Sequence, residues 1–307
     1  MTDLPFTTSQ AETVLSAWLG KPVACARIQR LHGGMINSVL RLDFNHEPFS
    51  AVIKLNRPGY SFQEEANALN YLHTHTRFPC PRVYLEDGSS FRIPYTFLLL
   101  ETIAGVSMDS ASLSTTDHEE LDLQLANILM ELHTHTRPTF GGVDDPGHER
   151  WLDIFLPRLV GTRSEPVIEQ RLSQEVLANT DYAIRAAGTI LLDQGQPTLI
   201  HGDIWAANIL IQRNNGCWQI TGLVDPGLQY ADVEMELAYL EVFNTAHPTF
   251  FKAYTSHFPL RPGYDLRRLF YWLHTALIHV WLFGDPHYRD FTAQIASAIR
   301  NRLSLHE

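Results

Sequence analysis

The chain has 307 residues, 45% hydrophobic and 19% charged, with a formal net charge of −11. That length suffices for a large core and two subdomains, and the balance is that of a folded chain rather than a disordered or fibrous one. The acidic excess and the absence of any Lys/Arg run leave no electrostatic footprint for nucleic acid.

Cys25, Cys80 and Cys217 are far apart, odd in number and without CxxC spacing. They suit a reducing cytosol rather than a disulfide framework. Met1-Thr2-Asp3-Leu4-Pro5 has neither the basic nor the apolar part of a leader, so no signal peptide is expected and a cytoplasmic location is. The hexapeptide Leu-His-Thr-His-Thr-Arg occurs at 72–77 and again at 132–137. Residues two apart on a helix do not share a face, so these histidines make a poor metal set. Both copies end helix-like segments, where His and Arg complement the helix dipole.

In chain order, Thr8 or Ser9 is positioned to cap a short helix from Ala11 to Leu19, stopped by Gly20. Strand-like segments follow at Ala24 to Leu31, Ser38 to Phe44 and Phe49 to Leu55, the second alternating from Leu40 on. Between the first two lies His32-Gly33-Gly34-Met35-Ile36-Asn37-Ser38, whose glycines allow main-chain N–H groups to approach a phosphate or simply form a hairpin turn. Lys54, inside the apolar run Val52-Ile53-Lys54-Leu55, must reach an anion or water, unless it lies on a solvated edge. Ser61 to His75 reads as a helix with Glu65, Leu69 and Leu72 on one face, which makes Glu65 the better partner for Lys54 and Glu64 the fallback. Tyr95 to Glu101 is an uninterrupted apolar strand, buried on both faces, leading into Glu101-Thr102-Ile103-Ala104-Gly105.

The pattern then turns helical. Leu121, Leu125, Ile128, Leu129 and Leu132 form an apolar stripe, and helices are predicted over about 149–160 and 165–194. Arg213-Asn214-Asn215-Gly216 is a hairpin turn between strands at 208–212 and 218–225. From Asp232 on the chain reads as helical. Its most apolar stretch, Phe270 to Phe283, is too short to span a bilayer, and no membrane partner is expected.

The stretch Leu199-Ile200-His201-Gly202-Asp203-Ile204-Trp205-Ala206-Ala207-Asn208 carries the chemistry. It sets Asp203 and Asn208 five residues apart, ahead of a strand whose partner ends at Val224-Asp225-Pro226-Gly227. Phosphoryl transfer needs such a set: a carboxylate near the attacking hydroxyl, then an amide and a carboxylate to hold Mg²⁺. Asp203 is the candidate base, Asn208 and Asp225 are the candidate metal ligands, and His201 orders the loop backbone, there being no Ser or Cys nucleophile in the local pattern. Trp205 beside the base either stacks on the carbon-rich face of a sugar or anchors the loop. Glu234 and Glu236 either offer charge to an amine or favour a helix N-terminus.

With Gly202 and Pro226 in place of the Arg and Phe of the protein-kinase patterns H-R-D and D-F-G, the chain resembles the small-molecule kinases built on that fold. His201-Gly202-Asp203-Ile204-Trp205 with Asn208, the Asp225-Pro226 strand end and Glu234-Met235-Glu236-Leu237-Ala238 are similar to the fructosamine/ketosamine kinase family. So are Phe250 to Tyr254, Pro262 to Asp265 and Phe283-Gly284. The resemblance covers most of the chain.

The resemblance implies an α+β, bilobal protein-kinase-like fold. Its small antiparallel-sheet N-lobe would span 1–101 and its larger, mostly helical C-lobe 102–307, with ATP and Mg²⁺ between them. It implies nucleotide contacts from Gly33, Gly34, Asn37 and Ser38, an ion pair of Lys54 with Glu65, and adenine hydrogen bonds from the main chain about Glu101 and Ile103. It implies transfer to a sugar hydroxyl of a ketosamine, on a small molecule or a glycated protein, with Trp205, His279 and Trp281 at the acceptor or in the core. The absence of Ala-Pro-Glu and of an activation-loop segment departs from protein kinases and argues against protein-kinase activity. The Gly-rich loop departs from many ketosamine kinases in having Met35 and no thiol, so thiol regulation there has no support. Rival readings are a kinase of another small alcohol, such as an aminoglycoside, choline or homoserine-like acceptor, and a nucleotide-binding pseudokinase; intact Lys54, Asp203, Asn208 and Asp225 speak against the second.

Overall fold

Short strands of alternating polarity build a sheet that is buried on the face carrying their apolar residues. In the computed structural model, which describes residues 4–31 and 36–304, these strands are β1 (Cys25–Arg30), β2 (Ser38–Phe44), β3 (Ser50–Asn56), β4 (Val83–Asp87) and β5 (Thr96–Glu101). They pair antiparallel in the order β1-β2-β3-β5-β4. Leu40, Leu42 and Phe44 of β2 join Ile53, Leu55, Phe97 and Leu99 in one core, onto which α1 (Thr8–Leu19) packs Ala11, Val14 and Leu15. The cap of α1 is Thr7, not Thr8 or Ser9: its side chain accepts from the Gln10 N–H and Gln10 answers the Thr7 N–H, a capping box that starts the helix three residues early. α2 (Gln63–His75) follows β3.

The chain divides into two compact units, Met1–Leu113 with Ala206–Pro226, and Ser114–Trp205 with Gly227–Glu307. A division after residue 101 leaves 206–226 with the helical part. In the structure that segment joins the sheet unit, because β6 (Val106–Ser107) pairs with β9 (Ile209–Asn214), and the Leu223 N–H donates to the Pro79 carbonyl at 2.8 Å. β9 and β10 (Cys217–Leu223) form a hairpin through Asn215 and Gly216, both at positive φ (50° and 91°), the geometry a two-residue turn needs to match strand twist.

The second unit is mainly helical. It holds α3 (Thr115–Leu132), α4 (Leu152–Arg163), α5 (Pro166–Arg171), α6 (Gln174–Ile190), α7 (Glu234–Val242), α8 (Pro248–Thr255), α9 (Tyr264–Phe283) and α10 (Pro286–Ser304). A small antiparallel sheet joins β7 (Gly141–Gly142), β11 (Gln229–Ala231) and β8 (Thr198–Ile200). Trp151, Phe155, Phe270, Leu273, Leu277 and Ile299 lie in its core. The helix predicted across 165–194 is two: Leu172 is buried in extended backbone, and Ser173 starts α6 by accepting the Val176 N–H. The apolar run at 270–283 is the body of α9. Among the described residues no helix is long and apolar enough to cross a membrane.

Candidate active site

In the sheet unit the site grows from one buried lysine. Lys54 pairs across β3 with Val39 on one side and Leu98 on the other, in an apolar setting that leaves it 4% exposed. Its ammonium donates to Glu65 Oε1 at 2.6 Å and to Asp225 Oδ1. Burial works against the charged ammonium, but the Asp225 and Glu65 carboxylates outweigh it and hold the Lys54 pKa above its ordinary value. Burial pushes the Glu65 carboxyl up, against the pull of Lys54. Glu64, the fallback partner, is exposed.

Asn208 and Asp225 flank the open end of the β9–β10 hairpin, where Ile209 pairs with Leu223 and the Asn208 carbonyl accepts the Val224 N–H at 3.0 Å. Asp225 holds a positive φ of 61°, a region Asp tolerates better than most side chains. Asn37 and Ser38 open β2, with Ser38 opposite Leu55 and the Asn37 Oδ1 accepting from Asn56 Nδ2 at 2.6 Å. Gly33 and Gly34 lie outside the described residues. Glu101 ends β5 and its carboxylate accepts the Arg82 N–H at 3.2 Å. Ile103 lies over Gly222, in a segment closed by Gly105, where φ is 125° and a Cβ would stand 2.4 Å from the Ile211 carbonyl oxygen.

In the helical unit β8 runs into His201-Gly202-Asp203. At Gly202 φ is 84° and a Cβ would meet the Gly227 carbonyl oxygen at 2.5 Å, so a side chain such as the arginine of protein kinases has no room here. The fully buried His201 ring accepts the Asp203 N–H through Nδ1 at 3.3 Å, ordering the loop. The Gly202 N–H donates to Glu236 Oε1 at 2.7 Å. The other Glu236 oxygen meets His133 Nε2 at 2.8 Å, and His133 Nδ1 meets the Tyr254 hydroxyl at 2.7 Å. Glu236 and His133 are 1% and 2% exposed. With Nε2–H donating to the carboxylate, Nδ1 accepts from the Tyr254 O–H, whose pKa is raised by burial and then by the Glu236 charge. One histidine of the repeated hexapeptide, His133, thus tethers the loop, whereas its counterpart in the first copy, His73, meets the Cys80 sulfur through Nε2 at 3.7 Å.

Asp203 accepts a hydrogen bond from the Tyr239 hydroxyl at Oδ1. Burial, then the Asp203 charge, raises the Tyr239 pKa, so the phenol keeps its proton and remains a donor. Glu236 and Tyr239 are three apart on α7 and share a face; that face holds both the backbone and the carboxylate of the loop. Glu234 is spent elsewhere, accepting from Arg267 at 2.7 and 2.8 Å with Arg261 at 2.9 Å. Neither glutamate is posted at a solvated helix start, and both carboxylates are engaged inside the protein.

Trp205 and His279 meet through Phe243, at ring-centroid distances of 6.3 and 5.4 Å. Trp281, two residues beyond His279, projects from another side of α9 and is 37% exposed, so the structure does not gather it with them. Tyr239, His133, Tyr254 and Phe243 escape a reading of the sequence; only the 236/239/243 spacing on an acidic helix hints at a shared face.

Replacing Glu236 with Gln keeps an oxygen for the Gly202 N–H only by setting the amide N–H₂ against the His133 Nε2–H. Glu236→Gln is expected to lower kcat about 10- to 100-fold through loop misplacement while KM for ATP barely moves. Steady-state kinetics beside a thermal melt would check it; an unchanged kcat in a folded variant would refute the tether.

A family model described as fructosamine kinase matches residues 7–302. A protein of Lactiplantibacillus plantarum named "Probable ketoamine kinase" is 36% identical over 277 residues, covering 85% of this chain and 90% of its own. The fold matches a crystal structure of a "Putative fructosamine-3-kinase" from Thermobifida fusca, with TM-score 0.73 and 20% identity over 96% of this chain and 100% of that one. It also matches aminoglycoside phosphotransferase APH(4)-Ia in a ternary complex with ADP and hygromycin B, with TM-score 0.67 and 18% identity over 94% and 97%.

Proposed function

Since this chain belongs to the fructosamine kinase family, and is thereby an ATP-dependent phosphotransferase, we propose that it phosphorylates a sugar hydroxyl of a ketosamine of the fructosamine or ribulosamine type. Asp203 accepts the proton of that hydroxyl as the γ-phosphoryl group leaves ATP. Lys54, held by Glu65, neutralises the nucleotide phosphates beside Asn37 and Ser38 and the Gly33-Gly34 loop, and the main chain about Glu101 and Ile103 takes the adenine. Trp205 and His279 bear on the acceptor.

Asn208 and Asp225 supply an amide and a carboxylate oxygen at one hairpin end, a donor set suited to Mg²⁺. Mg²⁺ keeps several waters and takes substrate phosphates as ligands, so one or two protein donors suffice for it. When bound, Mg²⁺ would offset charge on the phosphate oxygens. The same reading puts the enzyme in the cytoplasm, where ATP is available and the three free cysteines stay reduced. Its role there is the repair of glycated amines or proteins.

The observation that carries the acceptor assignment is the Asp203 carboxylate, oriented by Tyr239, two residues before Trp205 on a tethered loop. An ATP-turnover panel of a fructosamine, an aminoglycoside, choline and homoserine tests it: turnover with the fructosamine is expected, and turnover with any of the others instead would overturn it. Trp205→Ala should raise the acceptor KM roughly tenfold, for about 1.4 kcal/mol of lost contact, and leave KM for ATP nearly unchanged.

A further inference from the structure

Trp205 opens a longer run of rings in the helical unit. Phe243, at the end of α7, stands 4.6 Å from Tyr239 and 5.4 Å from His279 between ring centroids. His279 in turn stacks on Tyr288 at 4.2 Å and reaches Phe283 at 5.6 Å. The run is unlike the core of the same unit, where Trp151, Phe155 and Phe270 are fully buried. Here Trp205, Tyr239, Phe243, His279 and Tyr288 are half-buried and Phe283 is 42% exposed.

Two carboxylates act on this run, and two guanidinium groups lie at its α9 end. Asp203 and Asp285 both act on His279, and Asp285 acts on Tyr288. The guanidinium groups that reach this end of α9 are turned onto main-chain carbonyls. Arg171 donates to Val280 and Trp281 at 2.5 and 2.7 Å, and Arg289 donates to Gly284 at 2.8 Å. Burial lowers the His279 pKa, which keeps the ring neutral at physiological pH. Aromatic faces flanked by carboxylates attract a cation held within about 6 Å of a ring centroid.

We infer that the run from Phe243 to Tyr288, with Asp285 at its rim, binds the secondary ammonium group of the acceptor and makes the enzyme selective for cationic amine-linked sugars. This rests on the ketosamine reading. In a ketosamine the nitrogen lies only a few bonds from the ring hydroxyls. A hydroxyl at Asp203 therefore leaves the ammonium on the adjoining rings, and the substituent beyond the nitrogen leads toward the exposed end of α9. An anionic or neutral sugar gains nothing from these rings beyond apolar contact.

The test compares two acceptors, a 1-alkylamino-1-deoxyfructose and the 1-O-alkyl ether of fructose, in which oxygen replaces the amine nitrogen. At a pH where the amine is protonated, kcat/KM is expected to favour the amine about tenfold in the wild type. Asp285→Asn and Phe243→Leu should each bring that ratio toward one. Asp285 is exposed and its Oδ1 accepts the His287 N–H, which an amide oxygen also does, so Asp285→Asn decides the matter if Phe243→Leu does not fold. Equal use of the two compounds by the wild type, or an undiminished ratio in the folded Asp285→Asn variant, would overturn the inference while leaving the ketosamine assignment standing. Turnover of neither compound would overturn that assignment, and the inference with it.

Discussion

Asp203→Asn is expected to lower turnover by about 10²- to 10⁴-fold, the usual contribution of a positioned general base. The substitution is nearly isosteric, and the Tyr239 hydroxyl still has an oxygen to donate to at Oδ1. The loop also keeps its other ties: the Gly202 N–H on Glu236 and the His201 ring under the residue 203 N–H belong to its neighbours and its main chain. What disappears is the negative charge, which in the proposed mechanism receives the acceptor proton. ATP and acceptor affinities, measured by calorimetry, should therefore stay close to wild type while single-turnover transfer of labelled phosphate collapses. Tyr239→Phe should cost less, since it removes orientation and leaves the base. An Asp203→Asn enzyme within tenfold of wild type would show that the proton goes elsewhere.

The second large effect is expected at Lys54. Lys54→Met removes the cation from between two carboxylates, one of them, Glu65, only 17% exposed at its side chain. Losing one partner of a buried ion pair costs about 3–5 kcal/mol when the other stays charged. Glu65 has a way out, because burial already pushes its carboxyl pKa upward and the loss of Lys54 pushes it further. A carboxyl whose folded pKa exceeds its unfolded value favours the fold below the unfolded value and loses that contribution as pH rises through the folded one. The stability gap between Lys54→Met and wild type should therefore narrow toward pH 4–5 and widen toward pH 8, about the ordinary carboxylate range. Denaturant midpoints at both ends of that range would measure it. Separately, kcat/KM for ATP should fall by about 10²-fold or more, as when one preorganised donor is lost from a charged transition state. Glu65→Gln, which removes the charge that needs the lysine, should be milder in stability. A Lys54→Met protein with normal ATP use would remove this lysine from the nucleotide site.

Much of the fold was legible because its signals are local. Alternation marks β2, the uninterrupted run at 96–101 marks a strand buried on both faces, and Asn215-Gly216 marks a two-residue turn. Helical spacing put Glu65 rather than Glu64 on the face toward the sheet, and Glu65 is the carboxylate that meets Lys54. The placing of Asn208 and Asp225 at one hairpin end could be read from spacing, since a hairpin necessarily returns its second strand to the start of the first.

What stayed hidden depends on partners far along the chain. His133 and Glu236 are 103 residues apart, and nothing in the hexapeptide says that its first histidine meets a carboxylate in one copy and a cysteine in the other. Tyr239 reads as one more apolar position of α7 until its hydroxyl is seen on Asp203. The break at Leu172 was obscured because a buried leucine continues the apolar periodicity even where the backbone does not. The assignment of 206–226 to the sheet unit follows from a two-residue strand, Val106–Ser107, too short to announce itself.

That last pairing also decides how the protein could be taken apart. The chain passes from one unit to the other after residues 113, 205 and 226, so neither unit is an uncut stretch of the gene. A fragment ending at Leu113 would carry Lys54 with Glu65 but without Asp225, and an edge at Val106–Ser107 with no strand beside it. Expressing the sheet unit on its own would take a splice of 206–226 behind 1–113. The gene's exchangeable piece is the pair of segments, and a recombination point placed at either one alone would divide Lys54 from Asp225, one of its two counter-ions.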